Sequence, residues 1–261
     1  MKYLQNHIVL YLFRSERLPH SSGFVYRALG DLLERHGDYI SGDIAPGPKG
    51  SVKPEDLSCS AGWELREERY GKPYFAGHPE ICFSLSDSDG FVAVGFDSSR
   101  IGVDLQVHRR RKSDTREELA FRCSRIGVRA FHPLEQSYMN VAEKPDAGSR
   151  TERSILRFFR IWSAKEAYVK YTGTGIGEGF SRFSSLPEDL SFSDQRVFRL
   201  PRDSFRPGGP EIEMEWQSSW EACGVSFSLL DFRAVTGEKL RYSLCVASEQ
   251  KKSADLVLTV S

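Results

Sequence analysis

Two short segments of the sequence place two carboxylates and a lysine where they could serve one chemical task. Residues 102–106 read Gly-Val-Asp-Leu-Gln, and residues 162–170 read Trp-Ser-Ala-Lys-Glu-Ala-Tyr-Val-Lys. Asp104 and Glu166 carry the oxygen ligands that Mg²⁺ prefers, and Lys170 carries a cation that can neutralise a phosphate. The two segments together predict a site where a divalent metal ion and a phosphate group meet.

The first segment shows the alternation of a half-buried β-strand. Apolar side chains occupy the odd positions from Ile101 to Leu105, whereas Asp104 and Gln106 occupy even positions. Successive side chains of a strand point to opposite faces of the sheet. We therefore expect Asp104 and Gln106 to project from the same face.

The second segment lies in a predicted helix over residues 154–171. Phe158 and Trp162 belong to an apolar stripe at helical spacing, and Glu166 lies beside it, one turn before Lys170. A carboxylate in that position needs a partner, because an unpaired buried charge costs several kcal/mol. An ion pair between Glu166 and Lys170 on the helix surface, worth about 0.3–0.5 kcal/mol, is the purely structural alternative.

In this order, the two segments resemble the signature of the 4'-phosphopantetheinyl transferase superfamily, in its longer, surfactin-synthetase-activating type. The family pattern is a Gly-hydrophobic-Asp-hydrophobic-Glu strand, followed by a Trp-Ser-x-Lys-Glu-(Ala/Ser)-x-x-Lys helix. The sequence matches every position of the helix pattern and all but the last position of the strand pattern. Further likeness in the same order occurs at residues 70–74, 83–88, 130–135 and 173–176, so the resemblance covers about residues 70–185.

The resemblance implies a group transfer. Coenzyme A gives its 4'-phosphopantetheine arm to a serine of an acyl or peptidyl carrier protein, and 3',5'-ADP leaves. The implied metal ion is Mg²⁺, for which Mn²⁺ could substitute, and the implied ligands are Asp104, Gln106 and Glu166. Such a reaction depends mainly on holding the pyrophosphate, neutralising its charge and bringing the hydroxyl in line.

The resemblance also assigns residues to coenzyme A and to catalysis. The coenzyme A residues are Lys72, Ser86, Asp87, Lys165 and Lys170, and the catalytic residues are Glu135, Glu166 and Lys170. Lys170 contacts the pyrophosphate and assists the departing phosphate in this assignment. Lys165 either faces the phosphates as well or is a solvated helix residue. Glu135 is the candidate for deprotonating the acceptor serine, directly or through water.

Three positions depart from the family pattern. Gln106 replaces a frequent glutamate, which leaves the site one negative charge short and predicts weaker Mg²⁺ binding. Asp87 stands where the family has a histidine, so its charge would repel the 3'-phosphate of coenzyme A unless Lys72 and Arg100 compensate. Alternatively, Asp87 caps the turn that follows it. Thr174 replaces a lysine and removes a further cation.

The predicted fold class is α+β, with helices packed on antiparallel sheet. The resemblance implies the 4'-phosphopantetheinyl transferase fold, in which two similar halves form a pseudo-dimer with the active site in the cleft between them. We place the halves at residues 1–108 and 109–261, the second containing the signature helix and the last strands. The residue patterns themselves reveal no internal duplication.

Local patterns predict most of the regular elements. Strands are expected at residues 7–13, 81–85, 91–96, 102–106, 225–230 and 242–247. Helices are expected at residues 24–35 and 116–123, besides the one at residues 154–171. Loops are expected at residues 41–53, 140–154 and 201–210.

Composition agrees with an intracellular enzyme. The 261-residue chain has 36 acidic and 36 Lys plus Arg residues, so its net charge favours neither nucleic acid nor an anionic membrane as a partner. The five cysteines are scattered without a C-x-x-C pair, which is typical of reduced thiols in a cytoplasm. The beginning of the chain predicts a first strand and not a signal peptide. We expect a cytoplasmic monomer.

Two alternatives from other classes remain. A catalytically weakened relative could serve as a coenzyme A-binding or carrier-protein-binding module, with Asp87, Gln106 and Thr174 as the traces of lost turnover. The same carboxylates would also suit a metal-dependent phosphohydrolase. Separately, the basic residues 109–112 either dock an acidic acceptor or form a solvated turn.

Overall fold

The computed structural model describes residues 2–14, 21–40, 63–109, 114–140, 150–175, 179–190, 192, 197–200, 210–235 and 239–260. The helices are α1 (Lys2–Asn6), α2 (Ser21–Ile40), α3 (Arg116–Ala130), α4 (Pro133–Asn140) and α5 (Arg150–Thr172), with a 3₁₀ turn at Phe180–Arg182. The strands are β1 (His7–Arg14), β2 (Leu65–Glu67), β3 (Pro73–Phe75), β4 (Cys82–Ser88), β5 (Phe91–Asp97), β6 (Ile101–Val107), β7 (Phe198–Arg199), β8 (Ile212–Ala222), β9 (Val225–Ala234), β10 (Arg241–Ser248) and β11 (Ser253–Val260).

Local sequence explains several element boundaries. Thr115 and Glu118 form a capping box at the start of α3, each side chain bonding the backbone N–H of the other. Asp89 and Gly90 join β4 to β5 with φ values of 43° and 83°, the backbone of a tight hairpin turn that Asp-Gly adopts readily. Gly173 ends α5 at a φ of 69°, and its N–H bonds Val169 O, as the predicted helix terminus requires.

Two larger sheets form the centre of the molecule. The first has the order β4-β5-β1-β11-β7, and the second has the order β6-β10-β9-β8. The second sheet is antiparallel throughout, whereas in the first β1 and β7 each pair with β11 in parallel. The α+β class is confirmed. The prediction of antiparallel sheets holds for the pairs β4–β5 and β5–β1 but is wrong for the pairs that β11 makes, because β11 runs beside β1 in the same direction.

The sheets pack face to face between helices. Leu10 and Leu12 of the first sheet share a buried core with Val103 and Leu244 of the second. The outer face of the first sheet packs on α2, and the outer face of the second packs on α3 and α5. This order of helix, sheet, sheet and helix buries both faces of each sheet.

The two sheets also meet at their edges, where serine side chains of β4 take the place of a paired strand. The acceptors Ser84 Oγ, Ser86 Oγ and Ser88 Oγ lie 2.9, 3.1 and 3.0 Å from the backbone nitrogens of Val103, Leu105 and Val107. Each bond satisfies an N–H of β6 that its own sheet leaves unpaired on this side. The serines thereby fix the register of β4 against β6.

The boundary predicted at residue 108 does not coincide with a boundary between the sheets. β6 precedes that residue but pairs with β10, and β11 follows it but pairs with β1. Each sheet therefore takes a strand from the other part of the chain.

The predicted elements are present within a few residues of the expected ends, and α2 and α3 are longer than predicted. The first residues differ, because Lys2–Asn6 form a short helix before the predicted strand begins at His7. The predicted loop at residues 41–53 lies outside the described residues, as do residues 201–209 of the loop predicted at 201–210 and residues 141–149 of the loop predicted at 140–154. The loop prediction is wrong for residues 140 and 150–154, which belong to α4 and α5.

None of the helices in the described part of the chain is long and apolar enough to cross a membrane.

Candidate functional site

The site begins with a direct contact between the backbones of β6 and α5. A Cβ atom on Gly102 would lie 1.9 Å from Ala167 O and 2.4 Å from Tyr171 N, so only glycine fits between this strand and this helix. The contact places the last two turns of α5 against the strand that carries Asp104. Two motifs that are far apart in the sequence are thus adjacent in the structure.

Asp104 is the buried centre of the site, with 2% of its surface exposed. Its Oδ1 accepts hydrogen bonds from Lys170 Nζ at 2.8 Å and from Ser86 Oγ at 3.2 Å. Its Oδ2 accepts a hydrogen bond from Gln106 Nε2 at 2.9 Å. The predicted projection of Asp104 and Gln106 from one face of the strand is confirmed. A buried carboxylate with three donors is held in one orientation.

Ser86 connects the strand β4 to both charged groups. Its hydroxyl accepts from Leu105 N at 3.1 Å and from Lys170 Nζ at 2.9 Å, and it donates to Asp104. Ser86 is itself 6% exposed. In this arrangement the serine orients Lys170 and Asp104, because its own hydrogen-bonding capacity is used inside the site.

Glu166 lies half-buried on α5, beside the Asp104–Lys170 pair. Burial raises the pKa of Glu166, the negative charge of Asp104 raises it further, and the positive charge of Lys170 opposes both effects. The two carboxylates together with the one lysine form a site of negative potential. That potential favours a bound cation.

A cleft of about 330 Å³ opens beside these residues. Glu166 and Lys170 form one wall, and Phe83, Leu85 and Tyr70 contribute apolar surface to it. Gly173 and Gly175 also line the cleft, although their conformations are those of a helix end and the turn after it. A mostly apolar cleft with a few charged groups at one end suits an elongated ligand with a charged part.

Lys72 lines the same cleft, but its ammonium group turns away from the open space. Nζ donates to Ile101 O at 2.7 Å, to Lys170 O at 2.5 Å and to Tyr171 O at 3.2 Å. Burial and the positive charge of Arg100 lower the pKa of Lys72 to about 8. The predicted contact of Lys72 with coenzyme A therefore does not match the direction of its charged group.

Glu135 and Lys165 lie elsewhere, in a buried ion pair. Both are 0% exposed, and Lys165 Nζ lies 2.9 Å from Glu135 Oε2. Lys165 also donates to Phe180 O at 2.5 Å and to Phe183 O at 2.7 Å. Burial lowers the pKa of Lys165, and Glu135 opposes that shift. Every donor of this lysine is used inside the protein.

The remaining contacts of Glu135 also serve the fold. Its carboxylate accepts from His132 N at 2.8 Å at the start of α4, and from Ser185 N at 2.7 Å and Ser185 Oγ at 2.8 Å. The structure therefore corrects two assignments: Glu135 does not face an acceptor serine, and Lys165 faces neither phosphate nor solvent. The pair anchors α4 and the chain around Phe180 to α5.

Asp87 also differs from its assignment. It lies in the strand β4, paired in register with Val92, and its side chain is exposed on the face opposite Ser86. It is absent from the residues that line the described cleft. The alternative role as a turn cap is wrong too, because β4 continues through Ser88 before the turn begins.

His108 and Arg109, the first residue of the basic run, follow the end of β6. Arg109 Nε pairs with Asp89 Oδ2 at 2.8 Å, and residues 110–112 lie outside the described residues. His108 Nε2 lies 2.9 Å from Ser243 Oγ, and its ring stacks on Phe159. Burial and the charges of two nearby arginines hold the pKa of His108 well below its usual range, so this histidine is neutral at pH 7.

The donor set fits Mg²⁺ only as a site that the substrate completes. Among the described residues, no group of three or more His, Cys, Asp or Glu side chains converges on one point. Asp104 and Glu166 supply two carboxylates, and Gln106 directs its amide nitrogen, not its carbonyl oxygen, at Asp104. Mg²⁺ accepts such a set, because it commonly binds one or two carboxylates together with substrate phosphates and water.

Sequence reasoning missed several residues of the site. The alternating serines of β4 are visible in the sequence, but nothing in that pattern indicates that they bond the edge of β6. Gly102 belongs to a recognised motif, yet its contact with α5 appears only in the structure. The cleft residues Phe83, Leu85 and Tyr70 have no chemical signature.

Comparison with known proteins supports the resemblance. The sequence model of the 4'-phosphopantetheinyl transferase superfamily matches residues 100–207. The chain is 33% identical over 134 residues to "4'-phosphopantetheinyl transferase psf-1" of Bacillus pumilus, which is 51% of this chain and 48% of that protein. It is 29% identical over 117 residues to "4'-phosphopantetheinyl transferase Sfp" of Bacillus subtilis strain 168, which is 45% of this chain and 44% of that protein.

A third relative is shorter. The chain is 35% identical over 131 residues to "4'-phosphopantetheinyl transferase AcpT" of Salmonella typhi, which is 50% of this chain and 60% of that protein. The chain thus matches about half the length of the first relatives. The matched family segment contains Asp104 and Lys170, which form an ion pair, and Glu166, which lines the cleft. Through residues 100–207, the chain is similar to the 4'-phosphopantetheinyl transferase superfamily.

Proposed function

We propose that this protein transfers the 4'-phosphopantetheine group of coenzyme A to a serine of an acyl or peptidyl carrier protein. The observation that carries the proposal is the junction of β6 and α5, where Asp104, Lys170 and Glu166 meet beside the cleft. A charged end and an apolar wall suit a pyrophosphate joined to a long organic arm. The relatives named 4'-phosphopantetheinyl transferase support the same activity.

In this reaction the acceptor serine Oγ attacks the phosphorus that carries the pantetheine arm. The bond between this phosphorus and the bridging oxygen breaks, 3',5'-ADP leaves, and the serine proton must reach a base. Lys170 lies at the cleft and carries the cation that stabilises negative charge on the pyrophosphate as it leaves. Asp104 and Ser86 hold that ammonium group in place.

Glu166 is the carboxylate that we assign to the serine proton. It lines the cleft, so it borders the space from which the acceptor hydroxyl must approach. Glu135 was the candidate from sequence, but its oxygens are already occupied by Lys165, Ser185 and His132 N–H.

Asp104 and Glu166, with Gln106 after rotation of its amide group, would hold Mg²⁺ or Mn²⁺. When bound, such an ion polarises the phosphoryl oxygens and neutralises their charge. An ion held there would share the negative charge of Asp104 with Lys170, and a weaker Asp104–Lys170 contact would leave the lysine available to the substrate phosphate.

We also propose the two-unit organisation of the transferase fold, with a boundary near residues 108 and 109. The support is the pairing of the sheets with helices on their outer faces. β6 and β11 would then be strands that the two units exchange. An exchange of this kind ties the units together and fixes the strand of Asp104 against the helix of Glu166.

The decisive experiment measures the intact mass of purified apo carrier proteins after incubation with this protein, coenzyme A and Mg²⁺. The expected result is a gain of one phosphopantetheine group per carrier. Glu166→Gln should lose the activity, and Glu221→Gln, at an exposed position on β8, is the matched control that should keep it.

No mass gain with any acyl or peptidyl carrier would overturn the transferase proposal. If coenzyme A binding were still measurable by calorimetry, the protein would instead be the coenzyme A-binding module considered above. Release of inorganic phosphate from a nucleotide without a carrier would indicate a phosphohydrolase.

A further inference from the structure

We propose that Lys72 is a positioning residue, whose ammonium group fastens the last turn of α5 to the first residue of β6 and so holds Lys170 at Asp104. The inference rests on the proposed transferase function, because the placement of Lys170 affects turnover only if this lysine acts on the substrate phosphate. It gives Lys72 a role different from the coenzyme A contact that the motif resemblance implied.

The donors of Lys72 are fully used by the backbone. A lysine ammonium has three N–H donors and no acceptor. The partners of Nζ are three carbonyl oxygens, namely Ile101 O at 2.7 Å, Lys170 O at 2.5 Å and Tyr171 O at 3.2 Å. None of the three donors is therefore left for a phosphate oxygen in this geometry.

The end of α5 explains why a cation is useful here. The last four carbonyl groups of a helix have no partner within the helix, and their partial negative charge favours a cation. Val169 O accepts from Gly173 N at 2.9 Å. Lys72 satisfies the next two carbonyls along the chain, those of Lys170 and Tyr171.

Lys72 also binds at the point where the strand and the helix touch. Gly102, the residue after Ile101, has no room for a Cβ against Ala167 O and Tyr171 N. One of the two backbones that meet there is β6, in which Asp104 lies two residues after Gly102. The other contains Lys170, whose carbonyl bonds Lys72 and whose side chain bonds Asp104. A shift of this turn therefore moves Lys170 directly.

Lys72 places its positive charge at this junction although burial disfavours the charged form. Burial is the largest cause of its lowered pKa, followed by the charge of Arg100, while Glu68 and Cys82 oppose the shift. Glu68 and Arg100 pair with each other, so they do not supply a separate partner for Lys72. A neutral apolar side chain would avoid the cost but would leave three carbonyls without a donor.

The test compares Lys72→Met with Lys251→Met, which removes an exposed lysine from the turn between β10 and β11. In the carrier assay, Lys72→Met should lower kcat by about tenfold or more, because small displacements of a catalytic group cost that much. KM for coenzyme A should stay within about twofold. Hydrogen exchange at the amides of residues 169–173 should become faster. A raised KM with unchanged kcat and unchanged exchange would overturn the proposal.

Lys72→Arg separates charge from geometry. This variant keeps the positive charge near the cleft, but a planar guanidinium cannot direct its donors at the same three carbonyls. A positioning role predicts a kcat loss here too, whereas a coenzyme A contact predicts near-normal kinetics. If Lys72→Met does not fold, this variant decides the question.

Failure of the function and failure of the inference remain distinguishable. Absence of transfer by the unmodified protein would reject the transferase function, and hydrogen exchange would still report on Lys72. Unchanged exchange at residues 169–173 in both Lys72 variants would reject the fastening role whatever the activity.

Discussion

The ammonium group of Lys170 lies 2.8 Å from Asp104 Oδ1 and supplies the positive charge that this buried carboxylate requires. Lys170 is about one-third exposed, whereas the Asp104 side chain is 3% exposed. The lysine is therefore the partner that can move toward the cleft, and Asp104 is the fixed one. A divalent cation at Asp104 would compete with Lys170 for the negative charge of this carboxylate.

Removal of the Lys170 ammonium group should have opposite effects on metal affinity and on turnover. Lys170→Met should tighten Mn²⁺ binding several-fold, because Asp104 Oδ1 no longer has a built-in cation. The same change should lower kcat by about 100-fold, since it removes one stabilising group of the reaction. Mn²⁺ electron paramagnetic resonance titration and the carrier assay measure the two effects. Weaker Mn²⁺ binding would contradict the competition.

Gln106→Glu tests whether a third carboxylate strengthens divalent-cation binding at the site. The extra charge should tighten divalent-cation binding by roughly tenfold, measured by calorimetry without coenzyme A. In chelator the same variant should have a lower Tm than the unmodified protein, because the new carboxylate lies beside Asp104 and Glu166. Added Mg²⁺ should reverse that loss.

The control for this variant is Gln250→Glu, an exposed position in the turn between β10 and β11. Cation affinity and Tm should both remain unchanged there. Equal effects of the two substitutions would show that the response comes from net charge and not from the site.

The Glu135–Lys165 pair should behave as a structural element. Lys165→Met leaves a fully buried Glu135 without its cation, so the free energy of unfolding should fall by about 3–5 kcal/mol. Urea denaturation measures this, and Lys251→Met provides the exposed comparison. KM for coenzyme A should be unchanged in the folded fraction. A normal stability combined with a raised KM for coenzyme A would indicate that Lys165 contacts the substrate phosphates.

The sequence was sufficient to predict the central strand, the long helix and the common face of Asp104 and Gln106. Those residues lie on regular elements with clear periodicity, and the order of the motifs predicted the similarity to the family. The pairing of β11 with β1 was not predictable, because the partners are 246 positions apart and their apolar patterns suit several neighbours.

Residue roles were harder to predict than residue positions. Glu135, Lys165 and Lys72 are charged residues within family motifs, and motif reasoning placed all three near the substrate. In the structure their charges are used internally, by a buried ion pair or by backbone carbonyls. Sequence patterns do not reveal whether a charged side chain points into a cleft or into the protein that surrounds it.

The lowered pKa of Lys72 predicts that stability and activity respond to pH in opposite directions. Its pKa is about 8 in the folded protein and 10.5 for the free side chain, so between these values the unfolded chain binds more protons. The contribution of Lys72 to the free energy of unfolding should therefore rise from about pH 8 to 10.5. Over the same range the neutral amine has only two donors for three carbonyls, so kcat should fall as the pH passes about 8.

Glu68, Arg100 and Cys82 face Lys72 and also carry titratable groups, so the comparison must be with Lys72→Met. Chemical denaturation and carrier kinetics at matched pH values give the two profiles. The difference between the unmodified protein and the variant should show rising stability and falling kcat. Parallel profiles in the two proteins would mean that Lys72 is not the group that titrates, and that its ammonium charge does not control the position of Lys170.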